Sequence, residues 1–215
     1  SLMRIAKELD VNAIAVSCWT QIQQRYGISA CSTFGRLNDK GIITACEVDV
    51  LGAATMWAMY CAALGERIPD FIDWTDLHPT ENNVWLAWHC GNAAPSLRDT
   101  CCKSQLVRNE RMIQWCPTCH GALEFKLKNG PVTCSRMVEY GGEYTFFFGN
   151  GEVVDIPPFV RGAYGWVKVN DLADWETKMV ESGVIHHGTL IYDKKVADAL
   201  EMFCKFLGIR AVRGA

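Results

Sequence analysis

The sequence predicts a mixed fold in which a short α/β unit precedes a larger unit of antiparallel β-structure. The apolar runs at 12–17 and 42–46 suit strands buried on both faces, and helix-like segments alternate with them. After Pro69 the pattern changes, because short β-prone runs follow one another with glycine-containing turns between them. We therefore predict an α/β unit over 1–68 and a β unit over 69–215.

The first unit is expected to contain three helical segments. Residues 2–10 carry apolar side chains at helical spacing, and the next segment is a helix or turn that ends at Gly27. A loop is expected between Gly27 and the second strand. The third helix spans 50–64, with Asp49 as its N-cap, and it is apolar nearly all round, so other elements should cover it on several sides. Two strands are too few for a complete doubly wound domain, so this unit looks incomplete.

The second unit is expected to be antiparallel over roughly 100–170, as a barrel or a sandwich. The Asn129-Gly130 pair between β-prone runs is typical of a hairpin turn, and residues 149–151 repeat the pattern. Apolar residues at helical spacing predict further helices over 172–181 and 194–207.

Composition narrows the classes of partner. The 215-residue chain is 49% hydrophobic and 21% charged, so it can bury a sizeable core. Its net charge of −3 gives no electrostatic reason to expect nucleic acid or an anionic membrane as partner. The uncharged stretch 50–65 is too short to span a bilayer comfortably. The start of the chain has no export-signal pattern, so we expect a cytoplasmic protein whose 11 cysteines are reduced thiols.

Three candidate ligands stand where short apolar runs end. Glu47, Asp73 and His89 each follow such a run, and the pair His186-His187 precedes another. Each residue also has an ordinary interpretation: Glu47 as a helix-start acid, Asp73 as a turn residue and His89 as a core histidine. Because neighbours in a strand point to opposite faces, at most one of the two adjacent histidines should enter a given site unless the backbone turns there.

Two carboxylates with one or two imidazoles form a mixed oxygen and nitrogen set. Such a set suits Mn²⁺ or a similar divalent ion better than a thiolate-selecting ion. An ion of this type can polarise the carbonyl of a hydroxy-carbonyl substrate, while two carboxylates move a proton between adjacent carbons. The set therefore favours a metal site for sugar chemistry.

Several segments resemble one known family in the same order along the chain. They are TACEVDVLGAATMWAMY, PDFIDW, ENNVWLAWHCGNAAPSL, GPVTCSRM, VKVND and GVIHHGTLIY with FCKFLGI. Together they are similar to the middle-to-C-terminal portion of the L-fucose isomerase and L-arabinose isomerase family. Each motif alone is short, but the combination is fairly specific and covers most of the chain.

The resemblance implies a role for each candidate residue. Glu47 and Asp73 match the two catalytic, metal-binding acids, His187 matches a metal ligand, and His89 matches a further ligand of the arabinose branch. The implied activity is isomerisation of an aldose to a ketose, through an enediol, at a Mn²⁺-type site. Asp at position 73 is similar to the fucose branch, whereas the double histidine is similar to the arabinose branch. The implied substrate is therefore a pentose or deoxyhexose such as L-arabinose or L-fucose. Candidates for sugar contacts are Gln21, Gln23, Trp88 and Asn92.

The resemblance also implies architecture and assembly. The α/β unit resembles the end of a middle domain, and the rest resembles a C-terminal Greek-key β-barrel with flanking helices. Family members carry an N-terminal α/β domain and more of the middle domain, and they form homo-oligomers, trimers or hexamers, with the active site between subunits. The chain is therefore expected to hold one half of an active site and to have little or no activity by itself.

Two further functions stay open. The first is a non-catalytic carbohydrate-binding or oligomerisation module built on the same scaffold. The second rests on Cys116, Cys119 and His120, which match a C-x-x-C-H pattern. Haem attachment requires an exported protein, a zinc knuckle requires a second spaced cysteine pair, and a redox C-x-x-C is expected at a helix start. A loop insertion without such chemistry is the ordinary interpretation of this segment.

Overall fold

A computed structural model describes residues 2–110 and 114–215. The described α-helices are α1 Leu2–Glu8, α2 Gln21–Tyr26, α3 Cys31–Asn38, α4 Val50–Ala62, α5 Leu172–Glu181 and α6 Lys195–Leu207, and Pro95–Leu97 is a 3₁₀ helix. The described strands are β1 Ala13–Ala15, β2 Ile43–Ala45, β3 Asp70–Leu77, β4 Val84–His89, β5 Gln105–Arg108, β6 His120–Lys126, β7 Gly130–Tyr140, β8 Glu143–Val154, β9 Ala163–Lys168, β10 His187–Ile191 and β11 Arg210–Arg213. Among these elements, no helix has the length and apolar character needed to cross a membrane.

The first strands form a small parallel sheet that α4 covers. Strand β1 pairs with β2 in parallel, with Ala13 opposite Ile43, as the alternating strand and helix pattern predicts. Helix α4 begins directly after Asp49, whose carboxylate accepts a hydrogen bond from the Gly52 amide at 2.7 Å. The helix contacts both strands of this sheet, three strands of the larger sheet (β3, β7 and β10) and α6, so its prediction as a helix covered on several sides is confirmed.

The prediction of a loop between Gly27 and the second strand is wrong, because residues Cys31–Asn38 form helix α3. Its sequence contains an internal glycine, and no side chain caps its N-terminus, so local signals for a helix are weak. Packing explains the glycine: a Cβ at Gly35 would collide with the backbone carbonyl of Ala93. Tertiary packing therefore specifies this helix more strongly than its own residues do.

The second unit is a nine-stranded, mostly antiparallel sheet in the order β11-β8-β7-β10-β3-β4-β9-β6-β5. The parallel pairs are β8 with β11 and β6 with β9. Strand β8 also pairs with β9, with Val153 opposite Val167, so the sheet folds back on itself. The predicted antiparallel β-structure is thus present, while the Greek-key barrel and the boundary at residue 69 stay predictions.

Both glycine-based hairpin predictions are wrong. Strands β6 and β7 flank Asn129-Gly130 but do not pair with each other; β6 pairs with β5 and β9, and β7 pairs with β8 and β10. A two-residue type I′ turn needs positive φ at both central residues, and Asn129 lacks it. Strand β8 runs straight through 149–151, where Gly149 makes room for the indole of Trp175 instead of forming a turn.

One aromatic side chain joins the two units. Phe71, near the start of β3, is fully buried in the core between the small sheet and α4. The next residue, Ile72, packs into the core of the large sheet. Because alternate residues of β3 serve different cores, this strand holds the two sheets together. The carboxyl ends of the small sheet therefore lie against the large sheet near β3.

We predict that Gly35→Ala lowers the free energy of unfolding by about 1–3 kcal/mol, because the added methyl overpacks the contact of α3 with the Ala93 carbonyl. Thr33→Ala, at an exposed position of the same helix, is the matched control and should change stability little. Urea denaturation followed by tryptophan fluorescence measures both. Equal stability of the two variants would contradict the packing of α3.

Candidate metal centre

The four predicted ligands come from four elements that meet at the junction of the sheets. Glu47 lies in the turn between β2 and α4, Asp73 in β3, His89 at the end of β4 and His187 at the start of β10. Antiparallel pairing sets His187 directly opposite Asp73. The Nε2 atom of His187 lies 3.6 Å from Oε2 of Glu47 and 3.7 Å from Oδ1 of Asp73, and Nε2 of His89 lies 3.9 Å from Oε1 of Glu47. The structure therefore brings all four side chains together.

Three of these donor atoms are buried and have no hydrogen-bond partner within the described residues. They are Oδ1 of Asp73, Nε2 of His89 and Nε2 of His187. One possible ligand atom from each of these three residues lies within 4.8 Å of the other two. Leaving a buried polar atom unsatisfied costs about 1–3 kcal/mol, so three at one point call for a shared partner. Ligands bonded to one divalent ion at about 2.0–2.2 Å lie about 3–4 Å apart, so the donor set fits such an ion.

An unusual backbone turn presents Glu47 to the cluster. Glu47 and Val48 both have φ of 58°, in the left-handed region that side-chain-bearing residues rarely occupy. Backbone hydrogen bonds hold the turn, since the Val48 amide donates to Val16 at 3.2 Å and the Asp49 amide to Cys46 at 3.1 Å. Strained backbone of this kind persists where the surroundings fix it, often at functional sites. The Glu47 side chain remains 28% exposed, so the cluster is open on this side.

Asp49 has a second role that the sequence prediction missed. Besides capping α4, its Oδ2 accepts a hydrogen bond from Nδ1–H of His187 at 2.8 Å. Arg136 on β7 contacts both carboxylate oxygens, with Nη2 3.1 Å from Oδ1 and Nη1 on Oδ2. Because Nδ1 of His187 is occupied in this way, its Nε2 faces the cluster. The only local signal was an acid two residues after Glu47; Arg136 is distant in the sequence.

Both adjacent histidines reach the cluster. His187 is buried and begins β10, whereas His186 is exposed and precedes the strand. A ring nitrogen of each lies within 4.8 Å of the other and of a Glu47 oxygen. Strand alternation does not apply at His186, which is the exception allowed where the backbone leaves a strand. His186 thus stands at the exposed rim of the site.

The two predicted catalytic acids have opposite electrostatic environments. The neighbouring His187 imidazole lowers the pKa of Glu47, and the positive field of His89 adds to this, which together outweigh burial. Burial raises the pKa of Asp73, and the nearby histidines offset this only in part. Carboxylates whose pKa values are pushed apart are suited to different proton-transfer roles.

The pKa of each of the two buried histidines lies above its usual value. Burial by itself would lower the pKa of His187, but the hydrogen bond with Asp49 and the nearby Glu47 raise it to about 9. Burial would also lower the pKa of His89, but Cys90, Asp73 and Glu47 raise it above its usual range. A metal-ligating imidazole must be neutral, so an ion that binds here displaces protons from this pair.

The predicted sugar-contact residues are spread around the cluster. Trp88 on β4 lies opposite Asp73 and lines a cleft of about 490 Å³, which also borders Thr75. Trp88 therefore connects the cleft to the candidate ligands. Asn92 is buried beyond β4, whereas Gln21 is exposed at the start of α2. Gln23 of the same helix is buried, and its Oε1 lacks a hydrogen-bond partner in the described part of the chain.

The Cys116-Cys119 segment forms a disulfide, which corrects the expectation that every cysteine is a reduced thiol. A turn in which the Cys119 amide donates to the Cys116 carbonyl at 3.2 Å brings the two Cα atoms to 5.4 Å. That separation lies within the range for a disulfide. A strand, β6, follows the pair directly.

Comparisons with known proteins find one matching family model and several similar proteins. Residues 87–213 match the family model described as L-fucose isomerase, C-terminal domain. A protein from Alkalicoccus urumqiensis named sulfoquinovose isomerase is 32% identical over 159 residues, which cover 74% of this chain and 34% of that protein. A sulfoquinovose isomerase from Priestia aryabhattai is 27% identical over 199 residues, or 92% of this chain and 42% of that protein. The chain thus spans less than half the length of these relatives.

We predict that Asp49→Ala destabilises the protein by about 3–5 kcal/mol, because it leaves the buried Arg136 guanidinium unpaired. Asp171→Ala is the matched control: Asp171 also caps a helix, α5, by accepting from the Asp174 amide at 3.1 Å, and its loss should cost about 1 kcal/mol. Adding Arg136→Met to Asp49→Ala should restore part of the loss.

Urea denaturation of the two single variants, the double variant and the control measures these differences. A loss at Asp49 no larger than at Asp171, or a double variant as unstable as the sum of the single variants, would contradict the buried pair.

Proposed function

Because the chain belongs to the family of the L-fucose isomerase C-terminal domain, we propose that it is the metal-binding part of an aldose–ketose isomerase. One structural observation supports the metal site in addition to the family assignment. Buried donor atoms of Asp73, His89 and His187 face one another beside Glu47 without hydrogen-bond partners among the described residues. The hard and borderline donors of this set favour Mn²⁺ or a similar divalent ion.

The environments of the two acids suggest how they divide the proton transfer. Glu47 has a lowered pKa and a partly exposed side chain, so it is an ionised base that can take the proton from the carbon next to the carbonyl. Asp73 is more buried and has a raised pKa, so it suits the complementary delivery of a proton. A bound divalent ion supplies polarisation of the carbonyl. His187, fixed by Asp49, keeps its Nε2 directed at the same point.

For the substrate, we propose a sulfonated hexose ahead of the pentose or deoxyhexose first expected. The support is that the relatives described above are named sulfoquinovose isomerase. The cleft beside Trp88 also carries Arg108 and Arg161, and guanidinium groups suit sulfonate oxygens. Both arginines already lie near carboxylates, Arg108 3.5 Å from Glu110 and Arg161 2.6 Å from Glu124, so the local charge is balanced. Unmodified L-fucose and L-arabinose remain the second candidates on the family assignment.

We also propose that the site is completed by other parts of the full-length protein or by a neighbouring subunit. Two features support this: the Glu47 side of the cluster is open, and the chain covers 34% and 42% of the two relatives described above. Family resemblance favours a trimer or hexamer. Sugar held over Trp88 would then be enclosed from the side opposite the ligands.

The test is isomerisation in D₂O by the protein translated from its complete reading frame, supplied with Mn²⁺. With sulfoquinovose, L-fucose and L-arabinose as separate substrates, we expect deuterium at C1 of the ketose product, because a proton passes through exchangeable carboxyl groups. Glu47→Gln and Asp73→Asn should each lower the rate at least about 100-fold. Glu181→Gln, at an exposed acid on α5 that does not line the cleft, is the control and should keep the rate.

Proton NMR of the product measures both rate and label. Product without deuterium would contradict proton transfer by the two acids. Thermal stabilisation by a sugar with no turnover in the wild-type protein would instead support the non-catalytic binding module.

A further inference from the structure

Two cysteine thiols lie in contact beside the candidate metal centre. The Sγ atoms of Cys18 and Cys46 are 3.2 Å apart. Two non-bonded sulfur atoms at this distance need only a small approach to reach the bond length of a disulfide, about 2.05 Å. Cys18 is 2% exposed and Cys46 is fully buried.

The topology of the small sheet explains why these thiols meet. Cys46 directly follows β2 and Cys18 lies just beyond β1, the strand paired with β2 in parallel. Both residues therefore lie at the same edge of the sheet, in connections that lead into helices. Cys18 is flanked by exposed Ser17 and Trp19, so its loop borders solvent although its thiol does not.

Cys46 is also part of the surroundings of the candidate ligands. It immediately precedes Glu47, in the turn that the left-handed Glu47 and Val48 backbone forms. Its Sγ, a Glu47 oxygen and a His89 ring nitrogen lie within 4.8 Å of one another. A displacement of the Cys46 sulfur therefore bears directly on the position of Glu47.

We propose that Cys18 and Cys46 are a redox-modification site that forms a reversible disulfide and thereby weakens metal binding at Glu47. Hydrogen peroxide is the oxidant: the two thiols lose two protons and two electrons, one S–S bond forms, the O–O bond breaks, and two water molecules are released. A dithiol reverses the step by thiol–disulfide exchange. The disulfide stands on its own geometry, whereas its effect on the metal rests on the proposed function.

A second cysteine pair lies nearby and provides the main competitor. The Sγ atoms of Cys31 and Cys90 are 3.9 Å apart, and the Asn109 side-chain amide donates to both, at 3.3 and 3.4 Å. That amide donor favours the thiolate form, so this pair also reacts with an oxidant, but its sulfur–sulfur gap is wider than at Cys18 and Cys46. Among the described residues, the cysteines of the two pairs do not form a group with all ligand atoms within 4.8 Å, which argues against a four-thiolate metal site.

The expected consequence follows from the size of the movement. Closing the gap from 3.2 Å draws the sulfurs together by about 1 Å, and metal–ligand distances tolerate only about 0.2 Å. Since the Cys46 backbone continues directly into Glu47, part of this shift reaches the carboxylate. We expect Mn²⁺ to bind at least about 10-fold more weakly to the oxidised protein, the lower range for perturbing the support of a ligand.

The first test maps the disulfide without reference to metal or activity. The protein is treated with hydrogen peroxide, free thiols are alkylated, and tryptic peptides are analysed by mass spectrometry without reduction. Trypsin places Cys18 in peptide 8–25 and Cys46 in peptide 41–67, which also holds Cys61. We expect these two peptides to be linked in the wild type and in Cys61→Ser, and unlinked in Cys18→Ser and Cys18→Ala.

The second test compares Mn²⁺ binding to the reduced and oxidised protein by electron paramagnetic resonance of free Mn²⁺, after peroxide is removed. The background variant Cys116→Ser/Cys119→Ser excludes effects of the other disulfide. Binding that weakens on oxidation and recovers with dithiothreitol supports the proposal. A link between Cys31 and Cys90 instead, or unchanged binding in the linked protein, would overturn it. A reduced protein that binds no Mn²⁺ would refute the proposed function and the metal effect, but not a mapped disulfide.

Discussion

The hydrogen-bonded series from Arg136 through Asp49 to His187 is the interaction on which the site depends. It crosses the junction between the sheets, because Arg136 and His187 belong to the large sheet and Asp49 begins the helix that covers the small sheet. All three side chains are largely buried, so water cannot replace any partner. One carboxylate thus caps α4, neutralises a guanidinium and orients an imidazole. All three interactions fix the position of the Asp49 carboxylate. Glu47 lies two residues before Asp49, so its position is fixed with it.

Burying ligand atoms that have no hydrogen-bond partner lowers the stability of the fold, so the surrounding residues must hold the candidate ligands in place. Phe71 packs against the rings of both His89 and His187, at centroid distances of 5.6 and 4.8 Å. The antiparallel ladder fixes Asp73 opposite His187, and backbone hydrogen bonds hold the left-handed turn at Glu47. The fold therefore holds the donors in place before a ligand arrives. A site prepared in this way loses little conformational freedom when an ion binds.

The amino-acid sequence predicted the positions of helices and strands better than it predicted which of them pack together. Buried runs and capping residues identified β1, β2 and α4, because those signals are local. Gly149 was misassigned to a turn since a glycine that admits Trp175 looks the same in sequence as one that turns the chain. Helix α3 was missed because contact with Ala93, far along the chain, specifies it.

The candidate ligands were identified for a comparable reason. Glu47, Asp73, His89 and His187 each follow or begin an apolar run, so their positions at strand ends were visible, and the resemblance joined them into one set. Their partners Asp49 and Arg136 were not predicted for the site, because a cross-sheet ion pair leaves no local pattern. Strand register also decides that Trp88 lies opposite Asp73 at the cleft, which periodicity alone does not show.

The central claim, that these four side chains hold one divalent ion, is tested most directly by anomalous X-ray diffraction at the manganese edge. Crystals of the reduced protein grown with Mn²⁺ should show a single strong peak, with carboxylate oxygens of Glu47 and Asp73 and ring nitrogens of His89 and His187 at about 2.0–2.3 Å. The peak should be absent from crystals of Asp73→Asn. A peak elsewhere, or none at this point in a protein with the four side chains in place, would contradict the account.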